Sequence, residues 1–324
     1  MKKISTRATV ESGIMATVIF MLMAIGTFIP GTAAFITFIL PIPAILIYLR
    51  NNAKAAVFSL FISGILISMF NNPVLALGTL ILTGLVSFAL GYSIKHKLSF
   101  TNTLGLVFIG NLTGNIIDSI LYYYLFLGSS IANELKKTTE ELKLSMDQFN
   151  IMSQNFSVES YKNLDYNILL YLLPASFIIL MLISSFVTYV ITKKIISRFN
   201  FEMNPLPKFS NWYIDIKVTI LIMAVAIFSF YMDLKNIVSA KYFELSAMML
   251  LYFFMGVVGA AVIDYVLGEK FKVKGKTRVL IIALLFLTNL GKYLFFIGLI
   301  DSIIDIRGLG HNSFKKAITG SNKN

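Results

Sequence analysis

Long apolar runs broken by short polar ones dominate the pattern along this chain. A helix needs about 20 mostly apolar residues to cross a hydrocarbon core of about 30 Å. Nine stretches meet that need: 10–29, 31–49, 55–70, 73–94, 104–127, 166–192, 214–231, 244–267 and 279–300. The pattern predicts a helix in each, so the expected fold is an all-α, polytopic transmembrane bundle of about nine spans. Pro30-Gly31 separates the first two runs, and Asn71-Asn72-Pro73 the third and fourth. Pro73 suits the first turn of a helix, where its missing N–H is not needed. The third and seventh runs are short. Pro41 and Pro43 fall in the middle of the second, where a re-entrant turn would shift the whole count.

One sizeable polar stretch interrupts the series. Within 128–165, Ile131, Leu135, Leu142, Met146, Phe149, Met152 and Phe156 recur at helical spacing, with Asp, Glu, Lys and Gln between them. That is an amphipathic helix, suited to a membrane surface or to capping the bundle. The expected organisation is a five-span block (1–127), an extracytoplasmic helical insert (128–165), a four-span block (166–300) and a polar tail (301–324).

Basic residues flanking the runs set the orientation, because cytoplasmic loops carry the excess of Lys and Arg. With the N-terminus in the cytoplasm, the inner side receives Lys2, Lys3, Arg7, Arg50, Lys54, Lys95, Lys97, the 193–217 cluster and the 270–278 cluster, 17 in all. The outer side receives ten, and eight of those lie in the long insert or in the tail with Arg307. The N-terminus is therefore expected inside. Glu11 and the spans that follow argue against reading the first run as a cleaved signal.

Composition agrees with the pattern. Hydrophobic residues make up 57% of the 324 and charged residues 14%. Ordinary globular chains have about 45–50% and about 25%. The formal charge of +12 is accounted for by topology signals facing anionic lipid, and nucleic acid is not needed to explain it. There is no Cys, and the two His, His96 and His311, lie far apart outside the runs, so no metal site is expected.

Candidate chemistry rests on the few polar residues inside the runs, since an intramembrane charge is costly unless it is paired or faces water. Asn111, Asn115, Asp118 and Tyr122 form one polar stripe on the fifth run. Lys292 lies in the ninth, one turn after Thr288 and Asn289. Asp118 and Lys292 are each about 20 Å from the inner end of their run at 1.5 Å per residue. Paired across the bundle, they are a candidate ligand site or a register-fixing ion pair.

Small residues recur at helix-packing spacing in Ala8, Ser12 and Ala16, in Gly110 and Gly114, and in Thr79, Thr83 and Ser87. The first set starts at the cytoplasmic boundary and is a candidate docking face for another membrane subunit. Gly268 to Thr277 has a Lys at 270 where a phosphate loop needs Gly, and no catalytic motif stands elsewhere. No enzyme and no cofactor are expected. Active transport would draw on a partner or an ion gradient.

Several segments resemble the YybS-like family of bacterial membrane proteins. They are Thr6-Arg7 with Glu11-Ser12-Gly13, Leu40-Pro41-Ile42-Pro43, Pro205-Leu206-Pro207-x-Phe209-x-x-Trp212 and Asp301-x-x-x-Asp305-x-Arg307. The resemblance implies a fold and no particular activity. The N-terminal half is similar, more distantly, to the substrate-binding S components of energy-coupling-factor vitamin transporters. Those have six spans and dock a membrane coupling subunit, which works with ATPases, through small residues of the first helix. That likeness implies Ala8, Ser12 and Ala16 as docking positions, although three further spans depart from the pattern. The leading expectation is a small-molecule binding or transport component of the cell membrane. The alternative is a non-transporting scaffold or regulatory subunit.

Overall fold

The computed structural model describes residues 6–152, 166–235, 240–288 and 290–309. Among these every regular element is helical. The chain divides into two compact units, each assembled from two stretches of chain. One unit takes the described residues up to 152 together with Leu180–Pro205; the other takes 166–179 and the described residues from Leu206 onward. The long helix α8 (Tyr166–Ile196) gives its first part to the second unit and the rest to the first.

The first unit contains α1 (Thr6–Phe28), α2 (Ala33–Ile39), α3 (Pro41–Arg50), α4 (Ala53–Ser68), α5 (Pro73–Lys95), α6 (Phe100–Ile120) and α7 (Ile131–Met152). Polar caps start three of them. Asn52 accepts from the Ala55 N–H, Asn72 from the Val74 N–H with Pro73 following it, and Ser99 from the Asn102 N–H. The prolines at 41 and 43 break α2 from α3 only slightly, and the pair remains one 18-residue span, Ala33–Arg50. This run is therefore a span, as the hydropathy pattern predicts, and not a re-entrant turn. α4 has 16 residues, about 24 Å at 1.5 Å per residue, so it is short for a crossing. Its neighbours nevertheless require it to cross. α3 runs alongside α5 in the same direction, with the Ser87 hydroxyl on Pro41 O and the Tyr48 ring beside Gly91, so α4 must carry the chain back.

Small residues bring these helices together. A Cβ on Gly110 would sit 3.2 Å from the Leu85 carbonyl oxygen, and one on Gly114 would press into Leu82. Thr83 and Ser87 are buried on the opposite side of α5. In lipid, where burying apolar surface gains little, such close backbone approach is what supplies dispersion contacts. The insert forms its helix, α7. The side chains at 131, 135, 142, 146, 149 and 152 lie outside the described set and Phe156 outside the described residues, so its apolar face is not followed further.

The second unit contains the start of α8, α9 (Ile216–Asp233), α10 (Ala240–Tyr265), α11 (Gly275–Leu287) and α12 (Gly291–Ile304). α9 and α10 form an antiparallel pair whose adjacent ends are tied by Lys241 on Asp233 at 3.0 Å. The run expected as one ninth span is instead two helices bent by 110° at Thr288–Leu290. α11 starts beside the far end of α10, where Arg278 meets Asp264 at 3.0 Å. α12 ends at Arg307, whose guanidinium reaches Ser210 and Trp212 in the segment leading into α9. The C-terminal end of α10 and the N-terminal end of α9 lie on the same side of this unit. Both ends of the α11–α12 pair thus return to that side, and the pair is re-entrant. This puts Arg307 on the same side as the start of α9 rather than opposite it, as an uninterrupted ninth span would have placed it.

Among the described residues there are therefore seven helices long and apolar enough to cross alone, the shorter α4, and one bent pair. Polytopic helical architecture is as the pattern predicts. The uninterrupted ninth span is not, because Thr288 adopts an extended backbone that ends α11.

Candidate functional site

The polar stripe of α6 lies in the first unit. Asn111 is buried and its amide donates to Ser185 Oγ of α8 at 2.8 Å. Asn115 donates back to the Asn111 carbonyl at 2.9 Å. Asp118 is half-buried against Gly78 of α5, where any Cβ would collide with its carboxylate. Tyr122 is on the rim, stacked with Phe126 in the π-helical turn that follows α6. Half of the stripe is thus committed to helix packing, and the free carboxylate of Asp118 is its one unspent group.

Ala8, Ser12 and Ala16 are all buried inside the same unit. Ser12 Oγ lies 2.7 Å from Ala8 O and 3.2 Å from Ala55 O, so the stripe joins α1 to α4. The face expected to dock a partner is covered by this chain's own helix.

Lys292 belongs to the second unit, at the start of α12, and Asn289 lies outside the described residues. Their unit differs from that of Asp118, so each ionisable residue is described among its own neighbours. Lys292 lines a cavity of about 440 Å³ together with Thr288, Gly291, Phe286, Gly256, Phe253, Tyr252, Met249 and Ile179. Its ammonium lies 5.5 Å from the centroid of the neighbouring Tyr293 ring. The 13 residues of α11 lift this elbow about 20 Å from the inner surface, so the cavity is at membrane depth. Backbone that leaves helical geometry at such depth is kept where it is buried in protein or lines a cavity.

The base of the elbow is held by a buried ion pair that sequence reasoning did not assign. Arg307 and Asp301 side chains are 1% and 4% exposed, with Nη2 to Oδ2 at 2.8 Å. The guanidinium also donates to the carbonyls of Ser210 and Trp212 at 2.6 and 2.8 Å. Two segments singled out in the sequence, 205–212 and 301–307, are thereby brought into contact. The interruption Thr288-Asn289-Leu290-Gly291 in an otherwise apolar run was the available signal for the elbow itself.

The family model described as predicted membrane protein (DUF2232) matches residues 16–302. The chain belongs to that family. No curated protein and no solved structure matches the chain. Membership in DUF2232 agrees with the multi-pass helical architecture and covers the elbow, the cavity and Asp301, while leaving the activity open.

Proposed function

We propose that the protein is a small-molecule binding component of the cell membrane, serving uptake or transfer, with the α11–α12 elbow cavity as its binding site. The observation that carries this reading is the 440 Å³ space beneath a helix break at membrane depth, edged by a single cation. The space is open on one side, where Tyr252, Phe286, Thr288 and Lys292 are exposed, so a ligand can enter without displacing the fold. Its volume falls in the range of about 300–1,000 Å³ typical of small-molecule sites. The more distant likeness of the N-terminal half to S components points the same way. Such a protein would bind its cargo without an ATP site of its own and take energy from a membrane-bound ATPase partner or an ion gradient. A scaffold that gathers other proteins has no use for the cavity.

Gly256→Leu tests the reading. A Cβ at Gly256 meets only Phe286, at 3.9 Å, so a larger side chain can enter the cavity without a backbone clash. In native mass spectrometry the wild-type protein should carry an adduct of small-molecule mass that Gly256→Leu lacks, with both melting at similar temperatures. A wild type that emerges bare, in a detergent that preserves adducts on other membrane proteins, favours the scaffold.

A further inference from the structure

We infer that the ligand of the elbow cavity is an anionic amphiphile, an acyl chain ending in a carboxylate or phosphate, whose head is held by Lys292; this rests on the cavity being the binding site. Two observations lead there. The first is charge bookkeeping within the second unit. Asp233 and Glu244 flank Lys241, Asp264 takes Arg278, and Asp301 takes Arg307. Each of these acidic groups already faces a cation, while Lys292 lies beside the Tyr293 ring and, among the described residues, in no ion pair. A lysine in the apolar part of the unit that joins no ion pair among the described residues is a cation suited to a counter-charge from a ligand.

The second is the division of the lining. Ile179, Met249, Phe253 and Phe286 are wholly apolar, and Tyr252 presents a ring stacked on Phe295 at 5.6 Å between centroids. The polar side chains at the cavity, Thr288 and Lys292, both belong to the elbow side. An apolar body with one anionic end matches that division. A cation would meet Lys292 with repulsion, and a polyol would leave its hydroxyls without partners along the aromatic wall. The volume is near the small end of the ligand-site range, which suits one chain rather than a two-chain lipid.

The test uses the full chain in phosphatidylcholine nanodiscs and a palmitate analogue with a diazirine on its chain. On illumination it should crosslink to peptides covering 249–256 or 286–292. Excess palmitate or lysophosphatidate should remove the label, and the more effective of the two identifies carboxylate or phosphate as the preferred head. Hexadecanol and hexadecyltrimethylammonium should not compete. Lys292→Met should weaken labelling roughly tenfold or more, the scale of one lost charge-assisted contact, while Lys292→Arg retains most of it. Labelling lost in Gly256→Leu but unchanged in Lys292→Met would overturn the anionic head and leave the cavity reading standing. Labelling unchanged in both variants would overturn the two together. If Lys292→Met does not purify, equal competition by hexadecanol and palmitate on the wild type defeats the inference.

Discussion

Arg307 makes four hydrogen bonds in a site that excludes water: two to Asp301 Oδ2 and one each to the carbonyls of Ser210 and Trp212. The other Asp301 oxygen, Oδ1, has no partner. Burying two charges costs several kcal/mol each, which their attraction offsets only with such geometry. Removing one member leaves the other charge stranded. Arg307→Met and Asp301→Leu alone should each lower unfolding stability by about 3–5 kcal/mol, and the double variant should recover much of the loss. Arg307→Lys should fall between, since an ammonium cannot reproduce the planar fork. Chemical denaturation of all four variants in one detergent checks this. Additive losses would show that the pair does not act as a unit.

Elements in this bundle meet through residues that are nearly absent as side chains. α10 and α12 touch backbone to backbone. A Cβ on Gly259 would overlap the Leu294 carbonyl, and one on Gly298 would overlap that of Met255. Neither obstacle is a side-chain tip that can swing away. Gly298→Ala should therefore destabilise by about 1–3 kcal/mol or more through overpacking. Gly105→Ala, with nothing within 4 Å of its Cβ, should be neutral or stabilising by up to about 1 kcal/mol. Paired melting curves decide the contrast. Ser12→Leu belongs to the same scale. Ser12 is fully buried against α4, so the larger side chain should lower stability of the purified protein itself. If stability held while some partner subunit were lost, the stripe would regain its docking role.

For the molecule as a whole, the re-entrant pair leaves eight candidate crossings among the described residues, counting α4, and brings Arg307 back to the side where α9 starts. Cysteines at Ser99, Ser210 and Ser313, introduced singly, should all resist an impermeant thiol reagent in intact cells, and one at Ser157 should react. Reaction at Ser313 with silence at Ser99 and Ser210 would mean that α11 and α12 form one broken crossing. The Arg307 contact with the segment before α9 would then be untenable.

Hydropathy by itself determined that this is a helical, multi-pass membrane protein and where most helices begin, and charge placement gave the orientation to expect. Those properties depend on the bilayer as solvent, and its demands are written locally: about 20 apolar residues per crossing and lysines kept on one side. Asp118 and Lys292 were legible for the same reason, as charges out of place. What each charge meets was not legible. A register of 3.6 residues per turn says which residues share a face and not which helix covers it. Ser12 was thus legible as a packing position without its partner, which is α4, and Asn111 was read as part of a site when Ser185 takes its amide. The elbow at Thr288 depends on packing against α10, and the grip of Arg307 on Ser210 and Trp212 joins positions 97 and 95 apart. Only the tertiary structure decided those, because a buried ion pair and a glycine crossing are properties of two segments at once.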